Sequence, residues 1–227
     1  MVFTGGYHGG TLMFPRDYLE QPDRMTANLP HDFVLAPFNN VEETQKIVNE
    51  LPHDSLAAIL IEPVQGSGGC RPASVEFLRF LRRTADHLGA IFIVDEVMTS
   101  RLGPKGYLAS LGLKADILTL GKYVGGGMSF GAFGGRNDIM ELFDPARGLL
   151  AHAGTFNNNI ITMAAGITGL EIYNSSEVRR LNSLGEELKT ILQQILLEEG
   201  IYKDPFGGLS QDLIEVDSLN GSTKALS

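Results

Sequence analysis

Three ionisable residues stand where apolar runs of this chain stop. Glu62 follows Ala57–Ile61, Asp95 closes Ile91–Val94, and Lys122 comes just after Asp116–Leu120. A lysine at the end of a buried strand is partly desolvated, and its neutral, nucleophilic amine becomes accessible. Gly125-Gly126-Gly127 follows it, and glycines let backbone pass close to a bulky ligand. A lysine on an exposed turn has the same local sequence, so both readings stay open. Ile91–Val97 has two readings of its own. Four apolar residues before Asp95-Glu96 also describe the acidic strand of a nucleotide hydrolase. That chemistry needs a G-x-x-x-x-G-K-[ST] loop, which the sequence lacks. A strand capped by a solvated acidic pair is the plainer alternative.

The elements that must position these residues alternate. Ala57–Ile61, Ile91–Asp95, Asp116–Leu120 and Gly131–Gly134 read as strands, the first three apolar enough to be buried on both faces. Between the first two, Phe77, Leu81, Ala85 and Leu88 recur at helical spacing, with Gly89 as the C-cap. This grammar predicts an α/β fold, a mostly parallel sheet sandwiched by helices. Functional groups in such sheets gather beyond the carboxyl ends of the strands, where Glu62, Asp95 and Lys122 all fall. The first 55 residues read as loops with one short helix at Glu42–Leu51. Asn158–Tyr173 predicts a buried helix and Glu177–Glu199 an amphipathic one, with an irregular tail over Ser218–Ser227.

The ordered set Tyr7-His8-Gly9, Ile61-Glu62-Pro63-Val64, Val94-Asp95-Glu96-Val97-Met98-Thr99, Thr119-Leu120-Gly121-Lys122, Gly125-Gly126-Gly127 and Gly154-Thr155-Phe156-Asn157 resembles the class III pyridoxal-phosphate-dependent aminotransferases of fold type I. Within them it is most similar to the glutamate-1-semialdehyde aminomutase branch. The resemblance implies a pyridoxal 5'-phosphate cofactor joined to Lys122 as a Schiff base, with the freed amine later shuttling a proton. It implies that Asp95 pairs with the pyridine nitrogen, that Val97 and Tyr7 cover opposite ring faces, and that His8 supports Tyr7. Glu62 is placed near the ring hydroxyl. Thr155 meets the phosphate from across a homodimer interface, although a threonine before a helix is also a common N-cap. Arg101 stays open between a substrate contact and a surface charge. The implied reaction moves an amino group from an amine or amino acid to a carbonyl acceptor, between molecules or within one.

The sequence departs from that family where its phosphate-binding Gly-Ser/Thr turn precedes the Tyr-His-Gly element, since this chain starts almost at the element. Met98 replaces a glutamine common in the family, and Asn158 and Ile160 replace a glycine and a proline. The expected organisation is a cofactor-binding large domain over 1–175 lacking its N-terminal part, and a partial small domain and tail over 176–227. A catalytically silent fragment or binding protein that keeps the fold is the rival expectation. Eighteen Lys and Arg against 27 Asp and Glu give a net charge of -9 with no basic cluster, which argues against nucleic acid. The single Cys70 excludes an internal disulfide, no Cys/His cluster has metal-ligand spacing, and no apolar run suits a membrane span. A cytoplasmic protein is expected.

Overall fold

The computed structural model describes residues 1–18, 28, 31–52, 54–147 and 149–199. Contacts divide the chain into two units, Met1–Asn174 and Ser175–Ser227.

The first unit begins with short strands, β1 (Val2–Phe3), β2 (Gly6–Tyr7), β3 (Met13–Phe14) and β4 (Leu35–Ala36), which lead into helix α1 (Val41–Glu50). Asn40 caps α1 by accepting from the amide of Glu43 at 2.9 Å. Next come β5 (Ala58–Ile61), β6 (Val64–Gln65), β7 (Arg71–Pro72), helix α2 (Val75–Leu88), β8 (Ile91–Asp95), α3 (Tyr107–Ser110), β9 (Ile117–Gly121), β10 (Gly131–Gly135), α4 (Asn137–Met140) and α5 (Ile160–Ile172). The second unit holds α6 (Ser175–Glu198). The irregular tail expected over Ser218–Ser227 lies outside the described residues. No described helix is long and apolar enough to cross a membrane.

The main sheet runs β10-β9-β8-β5. β5, β8 and β9 are mutually parallel, and β10 is antiparallel to β9. Beyond β5, Leu60 donates to the carbonyl of Met1 at 2.9 Å, which sets β1 alongside. The crossover from β5 to β8 is α2, capped by Ser74 Oγ at one end and ended by Gly89 at φ 65°. Its face of Phe77, Leu78, Leu81 and Ala85 is fully buried against Phe3, Ile59, Ile61, Phe92 and Val94. Phe3 and Phe38 meet Phe77 edge to face at 5.4 and 6.0 Å. Burial of a side chain such as Phe77 contributes about 2–3 kcal/mol.

Two sequence expectations fail in an informative way. The strands bury alternate residues only: Ile59, Ile61, Phe92 and Val94 are inaccessible, while Ala58, Leu60, Ile91 and Ile93 are half-exposed. One sheet face is covered by helix and, among the described residues, the other is not. Helix α5, expected to be buried, buries Gly166 alone and leaves Ile160, Ile161, Ile167 and Ile172 exposed. Both segments have apolar sequences suited to neighbours that the described residues do not supply.

Candidate functional site

Parallel pairing brings the expected acids and the lysine to one edge of the sheet. Ile61 is in register with Val94, so Glu62 and Asp95 leave neighbouring strands at the same level. Asp95 is opposite Thr119, and Lys122 follows where β9 ends. The loop between β2 and β3 closes over these ends. His8 Nδ1 lies 2.8 Å from Asp95 Oδ2, with side-chain exposures of 5% and 11%. Glu62 Oε2 accepts from the amide of Tyr7 at 2.9 Å, and Oε1 accepts from the amide of Gly66 at 3.2 Å. Two hydrogen-bonded sets result, Tyr7–Glu62 and His8–Asp95, adjacent through the Tyr7–His8 peptide, and the amide of Val97 adds to the second by donating to Asp95 Oδ1 at 3.0 Å.

The two carboxyls respond differently to similar surroundings. Burial raises Glu62, more than the two amides lower it. Burial also pushes Asp95 upward, but hydrogen bonds from His8 and the Val97 amide outweigh it and hold the acid below its usual range. Asp95 is thus an ionised carboxylate at neutral pH. His8, read from the sequence as a support for Tyr7, makes its hydrogen bond to Asp95 instead. Glu62 spends both oxygens on backbone amides, which fastens the Tyr7 loop to the β5–β6 corner.

Lys122 opens the 3-10 turn Lys122–Gly125 at φ 54°, a left-handed conformation uncommon for a lysine. It is exposed, so the described residues do not provide the desolvation expected at that strand end. The glycines after it serve packing more than ligand approach. A Cβ on Gly125 would fall 2.5 Å from Phe130 Cβ, and one on Gly126 would fall 2.0 Å from the carbonyl oxygen of Ala165. Helix α5 rests directly on this turn. Only Gly127, at φ 93°, has open space beside it.

Thr155 lies in the exposed loop before α5, and among the described residues no hydrogen bond ties it to the Asp95 group. It is not the cap of α5, because Asn159 accepts from the amides of Ile161 and Thr162. Arg101 is exposed in a short turn, with its carbonyl accepting from Tyr173 Oη at 2.8 Å. Glu96 proves to be no solvated acid. It is 1% exposed and accepts from the amides of Tyr107 and Leu108, each at 2.8 Å, at the start of α3. Another buried acid, Asp116, stands just before β9 and was read from the sequence only as the start of that strand. It binds the amide of Phe92 and the guanidinium groups of Arg82 and Arg136.

The group fits part of a pyridoxal phosphate molecule. Asp95 keeps lone pairs beyond its two hydrogen bonds, and an ionised carboxylate suits a ring N–H⁺. Tyr7, 47% exposed, and Val97 present one aromatic and one aliphatic side chain beside it. Lys122 supplies an amine for the aldehyde. A phosphate anchor is not evident among these residues.

The sequence profile described as aminotransferase class-III matches residues 1–204. A β-phenylalanine transaminase of Variovorax paradoxus is 47% identical over 202 residues, covering 88% of this chain and 45% of that protein. A glutamate-1-semialdehyde 2,1-aminomutase of Ignicoccus hospitalis is 43% identical over 178 residues, covering 78% of this chain and 40% of its own length. Among solved structures, a β-phenylalanine aminotransferase from Variovorax paradoxus superposes with a TM-score of 0.79 at 45% identity, over 88% of this chain and 45% of its own. A transaminase solved with PLP bound superposes at 0.74 with 31% identity, over 88% and 49%. The chain spans about half the length of the curated relatives it matches.

Proposed function

This chain belongs to the class III aminotransferases, and from that premise we propose that it carries the cofactor-binding half of an enzyme that transfers amino groups on pyridoxal 5'-phosphate. The observation that supports this most is the His8–Asp95–Val97 group at the end of β8, one strand away from Lys122.

When bound, the cofactor supplies an electron sink for the carbon that loses a proton. The chain's residues supply the rest. Asp95, kept ionised by His8 and the Val97 amide, would pair with the ring nitrogen and hold its proton. Tyr7 and Val97 would cover the two faces of the ring. Lys122 would be the catalytic residue, holding the cofactor through its amine and, when that amine is free, carrying a proton to or from the substrate carbon. His8 and Glu62 are positioning residues, the first through Asp95 and the second through the backbone of Tyr7. Thr155 is assigned to the phosphate of a partner subunit in a homodimer. The donor is an amine or amino acid and the acceptor a carbonyl, on two molecules or one, in the cytoplasm. We read 1–175 as a cofactor-binding large domain and 176–227 as part of a small one.

The exposure of Lys122 favours a second reading, a chain that keeps the fold without the chemistry. One experiment separates the two. Pyridoxal phosphate is added to the purified protein, the visible spectrum is recorded, and borohydride reduction is followed by peptide mapping. A visible band with the reduced adduct on Lys122, lost in Lys122→Ala, is the expected outcome. Label scattered over surface lysines sinks the proposal. Asp95→Asn is expected to retain the adduct but lose turnover of an amine donor, because an amide no longer enforces the ring proton.

A further inference from the structure

The four strands of the main sheet carry almost no polar side chains. β5 and β10 hold none, and β8 and β9 hold one each, Asp95 and Thr119. These two are register partners across the parallel β8–β9 pair. Opposite residues of neighbouring strands project to the same face, so the carboxyl and the hydroxyl are lateral neighbours. On its other side Thr119 is in register with Phe133 of β10, so Asp95 is the one polar side chain beside it in the sheet. Thr119 Oγ1 is shut off from solvent and, among the described residues, has no partner at ordinary hydrogen-bond distance. A buried polar atom without a partner is uncommon and calls for a reason. Valine has the same branched shape and a similar preference for strands, and it would leave no unpaired oxygen there. Burial works against the ionised form of Asp95, whereas His8, the Val97 amide and then the Thr119 hydroxyl favour it.

We propose that Thr119 is a positioning residue for the amino-group transfer, acting through Asp95, to whose carboxylate its hydroxyl donates from the β9 side. The inference rests on the reading that Asp95 meets the ring nitrogen of pyridoxal phosphate. His8 binds Oδ2 at 2.8 Å and the Val97 amide binds Oδ1 at 3.0 Å, both from loops beyond the strand ends. Thr119 differs in lying within the sheet, on the strand that runs into Lys122. Its carbonyl accepts from the amide of Glu96 at 3.1 Å, which already fastens the start of the loop after Asp95 to β9. A hydroxyl bond to Asp95 ties the carboxylate to the same strand, so the acid and the lysine share one frame. The terminal torsion of an aspartate is soft, and its rotation closes the remaining distance. A carboxylate has about four lone-pair sites, so a third donor still leaves room for the ring nitrogen. The titratable groups coupled to Asp95 are His8, from the β2–β3 loop, and Glu62, from the end of β5.

The test is the titration of the Asp95 carboxyl carbon, followed by NMR in the cofactor-free chain. Thr119→Val removes the hydroxyl and keeps the shape, and is expected to move the Asp95 midpoint to higher pH. Thr119→Ser keeps a hydroxyl and is expected to hold the midpoint near its native position, a rescue that a purely structural role would not give. Amide exchange in β8 and β9 checks that the sheet is intact. Where valine disturbs it, Thr119→Ala against Thr119→Ser makes the same comparison. One midpoint with and without the hydroxyl overturns the proposal. A second readout uses 4'-deoxypyridoxine phosphate, which has the ring but no aldehyde and so cannot bond Lys122. Its ring nitrogen pairs with the ionised acid, so binding is expected to fall away at a higher pH on acidification of Thr119→Val than of the native sequence. Coincident acid limbs also overturn the role of Thr119. Failure of the native chain to bind this compound counts against the proposed function, and the cofactor-free titration still decides whether Thr119 holds Asp95.

Discussion

Glu62 and Asp95 end neighbouring parallel strands and are both largely buried, so the difference between them lies in their partners. Glu62 has amides alone, and burial raises its pKa above the ordinary carboxyl value. Asp95 has the His8 ring as well, and its ionised form is favoured despite burial. The expected consequence of His8→Ala is a rise in the Asp95 pKa, read by NMR titration of its carboxyl carbon. A shift confined to residues outside the loop, with Asp95 unmoved, would remove His8 from its positioning role. For Glu62 the substitutions are graded. Glu62→Ala strips acceptors from the Tyr7 and Gly66 amides and is expected to cost about 2 kcal/mol in urea denaturation. Glu62→Gln keeps one acceptor oxygen and should lose roughly half as much.

The turn after β9 and helix α5 form a pair whose closeness depends on single glycines. Gly126 sits at φ 59° with the Ala165 carbonyl where its Cβ would be, whereas Gly127 at φ 93° faces open space. Gly126→Ala therefore combines a backbone penalty with a clash and should separate α5 from the turn, at an expected cost of about 2–3 kcal/mol. Gly127→Ala carries the backbone penalty alone, about 1 kcal/mol. Thermal melts of the two variants decide this, and equal losses would mean that the close packing of α5 contributes little. Elsewhere the elements follow local rules. Ser74 and Asn40 cap α2 and α1, and Gly89 ends α2 in the left-handed region, so these boundaries were legible from residue type.

At the scale of the molecule, acidic groups tie distant segments together. Asp116 links α2 through Arg82, β8 through the Phe92 amide, and the residue after β10 through Arg136. Burial pushes its acid upward, but the Phe92 amide and the two guanidinium groups prevail and hold it below the ordinary value of 3.8. Asp95 behaves alike. For both, the folded pKa lies below the unfolded one, so their stabilisation is complete above about pH 4 and is lost as pH falls through the folded values. Glu62 has the opposite sign: its folded pKa is raised above 4.5, so its contribution is present below that pH and declines as pH rises through the folded value. Urea midpoints measured against pH should thus fall steeply below pH 4 in the native sequence and less steeply in Asp116→Asn. A parallel pair of curves would show that Asp116 carries no linked protons.

Much of this protein is determined by sequence alone. The strands at Ala58–Ile61, Ile91–Asp95 and Ile117–Gly121 were legible because a continuous apolar run bounded by turn residues is a local signal, as was α2 from its apolar spacing. The class III membership was legible because six short motifs occur in order. What no local signal holds is which atoms meet. The His8–Asp95 bond joins residues 87 positions apart, and the Tyr7–Glu62 bond joins residues 55 apart. Glu96 and Asp95 are adjacent and chemically alike, yet one binds the α3 amides and the other is held by His8 and the Val97 amide, because β8 ends at Asp95 and Glu96 turns away from it. The sequence also could not say that α5 is bare, since apolarity records what a helix needs to bury and only the surrounding structure decides whether it is buried.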